Sequence, residues 1–291
     1  MGLRAYTTLC TAICAALCAS ARADELLLID RLSGFRTAAH RGGYQFADSN
    51  TIARFQTALS QGADIVETDL QVSSDGVPFL FHDVDLHPST TCTGKFSDRS
   101  ARAIEGCNIV GLSHPPERFE NALQWSRGRV VIDAEFKTPA AVQPAIDLVR
   151  RYSAYEWVYF QVGDGTELYE RARSYDAYVA LEADPQGKDA QLTLDHLLAV
   201  HDPRLVSLQL HPELATSANL DAIRDSGKLA AGDAFRFGTE RRWSLWPFHR
   251  VADCTRVYRL GIEIAVSNVP ESCAQQRDEA RSTFLKITLA R

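Results

Sequence analysis

The sequence predicts a single α/β domain, a (β/α)8 TIM barrel with a long, disulfide-stapled loop after its second strand. Three observations carry that expectation. From residue 36 onward, short β-rich runs alternate with amphipathic helical ones, the pattern of a parallel sheet. Eight strand candidates fit into about 230 residues with no composition break or linker, which favours closure over an open doubly wound sheet. No Gly-x-Gly-x-x-Gly turn follows any strand, so the usual dinucleotide-binding sign is missing.

Residues 1–23 read as a secretory leader and residues 24–291 as the barrel domain. Arg4 gives a positive start, residues 9–19 form an apolar run, and Ala21-Arg22-Ala23 offers a small-x-small cleavage site. That run is too short to cross a bilayer, and no later stretch approaches the roughly 20 apolar residues of a helical span. The expectation is an exported protein, periplasmic or extracellular, without stable membrane insertion.

The first strand is expected at 37–41 and a helix at 51–61, where Ile52, Phe55 and Leu59 recur at helical spacing behind Asn50 as N-cap. Gly62 ends that helix before a second strand at 65–71. The connection to the third strand, at 130–137, takes roughly 58 residues, against the usual 2–6 or so. It contains the Asp75-Gly76 turn, an apolar piece at 77–82, Cys92, Cys107 and a helix at 119–126. With little core of its own, this segment would rely on its staple while covering the C-terminal face, where barrel active sites lie. Further strands are expected at 157–162, 177–183, 205–210, 229–235 and 262–268, with helices at 140–152, 167–175, 194–201, 220–226 and 248–260. Gly227 and Gly261 mark the last two helix-to-strand joins. Trp243, Trp246, Pro247 and Phe248 form an apolar cluster, read as ordinary helix packing.

The chain carries 31 basic and 37 acidic residues, for a net charge of −6. The leader holds two of the basic residues and none of the acidic ones, so the domain itself is more acidic still. Without a basic run, nucleic acid and anionic membrane surfaces are poor partners, whereas a site that gathers cations is favoured. Of seven cysteines, Cys92, Cys107, Cys254 and Cys273 lie outside the leader. An even number in an exported chain suggests two disulfides; three pairings are possible, of which nearest neighbours are the simplest. None sits in a Cys-x-x-Cys pair, which argues against zinc or redox chemistry.

The polar residues collect at strand ends. His40 and Arg41 end the first strand, and Glu67 and Asp69 occupy the second half of the second. Residues i and i+2 of a strand share a face, so both carboxylates point one way while Val66, Thr68 and Leu70 point the other. Glu135 and Lys137 repeat this spacing on the third strand, with Asp133 one pleat deeper. Inward charges are costly unless paired or bound to metal. Glu67, Asp69 and Glu135 make a hard oxygen cage suited to one divalent cation, Ca²⁺ or Mg²⁺; a salt-bridge network with Arg41 and Lys137 is the plainer alternative. His82 follows the apolar run Phe79-Leu80-Phe81. Together with His40 it supplies two candidate proton-transfer groups, one to take a proton and one to give it. Gln161, Glu182, Gln209, Asp233 and Asn268 stand near other strand ends as candidate pocket residues.

His40-Arg41-Gly42-Gly43, Asn50-Thr51, the run from Gly62 to Leu70, Asp75-Gly76 and His82-Asp83 resemble, in order and spacing, the N-terminal signature of the glycerophosphodiester phosphodiesterase family. Thr90-Thr91, Gly94, Asp98 and Glu135-Phe136-Lys137 continue the resemblance, and Gly261 to Pro270 is similar to the family's closing strand. The chain departs from the pattern at Asp48-Ser49, where the family has Pro-Glu, and in lacking a tryptophan on the seventh strand. The resemblance implies a phosphoric diester hydrolase acting on a glycerophosphodiester or lysophospholipid. His40 and His82 would exchange protons, and Glu67, Asp69 and Glu135 would hold the cation. Arg41 and Lys137 would receive the phosphate, with Asn268 in the pocket. Two alternatives use the same barrel: a phospholipid-cleaving lyase or phospholipase D-like protein ending at a cyclic phosphate, and a non-catalytic binding protein.

Overall fold

The structure, a computed structural model, describes residues 28–43, 49–162, 166–175, 177–183, 190–237, 240–242 and 250–289. The proposed leader, Asp48 and the Trp243–Phe248 cluster lie outside the described residues.

Eight parallel strands close into a barrel in chain order: β1 (Arg36–Ala39), β2 (Ile65–Val72), β3 (Val131–Phe136), β4 (Val158–Val162), β5 (Val179–Ala183), β6 (Leu205–Leu210), β7 (Leu229–Asp233) and β8 (Ile264–Ser267). The last strand pairs back onto β1, Ala38 opposite Val266, and β1 also pairs with β2. Each β-rich run found in the sequence is one of these strands.

The pleat sorts each strand into two sets. Outward residues such as Val66, Leu70, Ile132, Phe136 and Phe160 pack against the surrounding helices. Inward residues near the N-terminal end, among them Ala38, Ile65, Val131, Tyr159 and Ile264, form an apolar layer. Leu28 and Leu32 of the short helix Leu28–Leu32 plug this layer from below. Burying each such large aliphatic chain is worth about 1.5–3 kcal/mol, so the lower half of the barrel is a packed floor. Polar residues take over the inward positions only toward the C-terminal rim.

Three elements differ from the sequence expectation. First, β1 stops at Ala39, and His40–Gly42 form a single 3-10 turn with Arg41 at φ 52° and Gly42 at φ 78°. A Cβ on Gly42 would stand 2.8 Å from Phe55, so only glycine lets the turn pack this close to the following helix. Second, the helix Ile52–Ser60 is capped by Thr51, whose hydroxyl accepts from the Arg54 amide at 3.2 Å. Asn50 is not the cap: it adopts φ 58°, and its side chain turns inward. Third, the expected helix at 248–260 is only Thr255–Arg259, because Arg250–Ala252 pairs antiparallel with Glu240–Arg242. Asp253 marks the new helix start by accepting from the Thr255 amide at 3.1 Å.

The segment between β2 and β3 also departs from expectation, because it has a core of its own. Pro78–Leu80 runs antiparallel to the end of β2. Above it Phe79, Phe81, Leu86, Phe96 and Ile104 are buried together. Phe96 stacks on Phe81 at 4.9 Å and meets Phe79 edge-on at 5.6 Å. These apolar residues are too scattered to show a period in the sequence. The nearest-neighbour cysteine pairs are both at bonding distance, Cys92 with Cys107 and Cys254 with Cys273. Phe96→Ala is expected to cost about 3–5 kcal/mol, the usual range for a fully buried aromatic. Hydrogen exchange should show the loss as faster amide exchange over 79–107 while β4 to β7 keep their protection. Uniform loosening of the barrel would contradict a separate insertion core.

Candidate active site

Register brings the acids of two strands side by side at the C-terminal rim. Glu67 lies beside Asp133 and Asp69 beside Glu135 across the β2–β3 ladder, and Glu135 beside Gln161 on β4. One oxygen from each of Glu67, Asp69 and Glu135 falls within 4.8 Å of the others. Glu67 and Asp69 are 2% and 0% exposed. Asp133, one pleat deeper, accepts from the Tyr159 hydroxyl at 2.9 Å and belongs to the floor of the site.

Two cations border the cage. Lys137 Nζ is 2.8 Å from Asp69 and 2.5 Å from Glu135, and Arg41 Nε is 3.0 Å from Asp69. The 3-10 turn also brings the Arg41 backbone N–H to 2.7 Å from Glu67 Oε2. Asn50 holds Asp69 in place: its amide donates to the Asp69 carboxylate at 2.7 Å, and its carbonyl accepts from the Thr68 hydroxyl and the Asp69 amide. Asparagine tolerates the positive φ this requires, and nothing in the sequence pattern separates that use from a helix cap.

The ionisation of these groups follows from burial and neighbours. Burial pushes Glu67 well above the usual carboxylate range, and the nearby Asp69 and Glu135 push it further. Burial acts on Asp69 in the same sense, but Lys137 and Arg41 outweigh it and hold the carboxyl low. Glu135 stays above its ordinary value by burial, although Lys137 pulls it down. Burial alone would lower Lys137; Asp69 and Glu135 raise it instead. Glu67 Oε1 is buried without a hydrogen-bond partner. Three crowded carboxylates against two cations, with one oxygen unsatisfied, form a donor set that fits a hard divalent ion.

The two histidines sit on different supports. His40 Nδ1 is 2.8 Å from Asn268 Oδ1, its Nε2 is 3.9 Å from Glu67, and its ring lies 5.1 Å from that of Phe235. Burial, then the neighbouring Arg41, pull its pKa down to about 4. His82 follows Pro78–Leu80 and pairs with Asp83, Nδ1 to Oδ1 at 2.8 Å. Arg41, Asn50, His82, Asp83 and Ser89 line one cavity of about 320 Å³ between the cage and the insertion. A larger cavity of about 620 Å³, lined by Arg118, Glu120, Gln143 and Asp147, lies outside the barrel and includes none of these residues.

The other candidate residues form the far side of the rim. Gln209 donates to Asp233 at 2.9 Å, and Arg236 joins Asp233, Glu182 and His211. Sequence reasoning found neither Arg236 nor His211, which stand in loops without periodicity. Burial, opposed by Arg236, raises Asp233 to about 7. A native pKa above the unfolded value means that this contribution to stability is complete below about pH 4 and is lost as pH rises through 7. In EDTA, the stability of Asp233→Asn relative to wild type should therefore grow by up to about 1.4 kcal/mol per pH unit across that window. Urea denaturation at stepped pH measures it; a pH-independent difference would mean that Asp233 is ionised throughout.

Part of the chain is similar to known proteins. Residues 40–142 match the Glycerophosphoryl diester phosphodiesterase family. Human glycerophosphodiester phosphodiesterase 1 is 39% identical over 79 residues, covering 27% of this chain and 23% of that protein. Mouse glycerophosphoinositol inositolphosphodiesterase is 43% identical over 60 residues, covering 21% of this chain and 11% of that protein. The aligned part thus spans less than a quarter of either relative. A glycerophosphodiester phosphodiesterase from Agrobacterium tumefaciens superposes with a TM-score of 0.67 at 22% identity, over 84% of this chain and 99% of that one. A phosphodiesterase from Oleispira antarctica, in complex with the product sn-glycerol-3-phosphate, superposes with a TM-score of 0.64 at 17% identity, over 84% of this chain and 97% of that one. At these identities the structural likeness speaks for the fold.

Proposed function

We propose that this chain, whose residues 40–142 match the Glycerophosphoryl diester phosphodiesterase family, is an exported, metal-dependent phosphodiesterase of that family. Its reaction would release glycerol 3-phosphate and an alcohol from a glycerophosphodiester. The carboxylate cluster with its unsatisfied Glu67 oxygen, flanked by Arg41, Lys137 and His40, carries this reading. Glu67, Asp69 and Glu135 would hold one Ca²⁺ or Mg²⁺, which when bound neutralises phosphoryl charge. The bonded cysteine pairs suit an oxidising compartment. No helix among the described residues is long and apolar enough to cross a membrane.

The histidines divide the proton work. With Nδ1 directed to Asn268, His40 offers Nε2 as a lone-pair acceptor, and its lowered pKa keeps it neutral. It takes the proton from a glycerol hydroxyl as that oxygen bonds to phosphorus. His82, whose Nδ1 meets the Asp83 carboxylate at 2.8 Å, gives its proton to the departing alcohol oxygen as the P–O bond breaks. Water then opens the cyclic phosphate with the two roles reversed. Arg41 and Lys137 receive the phosphoryl oxygens, one through a planar fork and the other as a point charge.

The test is hydrolysis of glycerophosphocholine by the purified protein in Ca²⁺, Mg²⁺ or EDTA, alongside His40→Ala. Glycerol 3-phosphate should appear with a cation and stop in EDTA. The variant should lose roughly 10²–10⁴ in rate. No product from glycerophosphodiesters or lysophospholipids in either cation would overturn the assignment. A cyclic phosphate as end product would convert it to a lyase.

A further inference from the structure

The cover segment does more than cover. Its first residues after the strand Pro78–Leu80 carry His82, and the contacts around that ring form a chain leading away from the site. Gln71, buried at the end of β2, donates from its amide to the His82 and Asp83 carbonyls at 3.3 and 3.1 Å. The backbone is therefore pinned where it leaves the strand. Asp83 Oδ1 then meets His82 Nδ1 at 2.8 Å, while Asp83 Oδ2 accepts from the Ser89 hydroxyl. A carboxylate only accepts, so the ring nitrogen facing it carries a proton and Nε2 is left for the cavity shared with Arg41.

Ser89 is itself held from the other side. Its carbonyl accepts from the Val110 amide at 3.0 Å, and the Thr91 amide donates to Asn108 at 2.8 Å. Thr90 bridges to Ile109, and the Cys92–Cys107 disulfide closes the same strip. Asp83 is more than a third exposed. A single hydrogen bond at such a surface is worth little, whereas a carboxylate gripped on both oxygens keeps one orientation.

We infer that Asp83 and Ser89 are positioning residues for proton transfer by His82, and that the Cys92–Cys107 strip anchors them. This rests on the reading of His82 as the proton donor above. In the step concerned, the P–O bond to the alcohol breaks and the proton on His82 Nε2 passes to that oxygen. An alkyl alcohol needs the proton; a nitrophenolate leaves without it.

Two substrates of the purified enzyme with its cation separate the possibilities: glycerophosphocholine and glycerol 3-(4-nitrophenyl phosphate). In a single turnover read as release of choline or nitrophenolate, before the cyclic phosphate common to both esters is opened, His82→Ala should lose roughly 10²–10⁴ in rate on the first and far less on the second. Asp83→Asn should lose about 10–100-fold on glycerophosphocholine and Ser89→Ala about 3–10-fold, both with the aryl ester nearly unaffected. Ser89→Thr, which keeps the hydroxyl, should restore the rate. A Cys92→Ala/Cys107→Ala variant that folds should repeat the Ser89→Ala pattern. If His82→Ala affects both esters equally, the proton-donor reading falls and the positioning role with it. If His82→Ala is selective while Asp83→Asn and Ser89→Ala are unaffected, or lose both substrates alike, the positioning role alone is overturned.

Discussion

Glu67→Gln is expected to lose cation-dependent turnover by about 10²–10³-fold, the several kcal/mol that a metal clamp on a phosphoryl group supplies. Its stability in EDTA should equal or exceed that of the wild type. Glu67 is 2% exposed and crowded by Asp69 and Glu135. Its Oε1 has no hydrogen-bond partner. A glutamine of nearly the same shape keeps an oxygen for the Arg41 amide but removes one of three repelling charges. A wild-type protein that binds the ion only when folded gains about 2.7 kcal/mol at a cation concentration one hundred times its Kd. The variant should lose most of that response. Thermal unfolding with and without Ca²⁺ or Mg²⁺, beside initial rates, measures both. Equal stabilisation of variant and wild type by the ion would remove Glu67 from the cage.

Lys137→Met should behave in the opposite way, destabilising the apo protein. Lys137 stands 2.8 Å from Asp69 and 2.5 Å from Glu135, both largely withdrawn from water. Taking the ammonium away leaves Glu135 without its cation and Asp69 with Arg41 alone, a change that costs about 3–5 kcal/mol where the pair is buried. A bound divalent ion would neutralise the same oxygens. The deficit should therefore shrink as cation is added, although turnover stays low for want of a positive group on the phosphate. Urea denaturation across a cation titration is the measurement. A deficit independent of the cation would mean that Lys137 and the ion do not share these carboxylates.

Much of the site was legible because it rests on local geometry. The pleat alone puts Glu67 with Asp69 and Glu135 with Lys137 on one face, whatever the strands pair with. His40 and His82 were legible as polar residues ending apolar runs, and the cysteine pairs only as the simplest of three possible pairings. The insertion core was not, because Phe79, Leu86, Phe96 and Ile104 meet through turns rather than through any period.

The sequence by itself determined the barrel, its eight strands, the inward acids and the candidate proton carriers, since each depends on a repeat of two or on a helix-to-strand alternation within a few residues. Tertiary structure alone decided which acids become neighbours. Asp69 meets Glu135 because closure of the sheet sets the β2–β3 register. Only folding turned Asn50 from a helix cap into the residue that fixes Asp69. The same holds for Phe235 beside His40, Arg236 between Glu182 and Asp233, and Ser89 behind Asp83. Their partners lie on other strands or across loops, and no local preference of the chain encodes a contact that exists only once the barrel has closed.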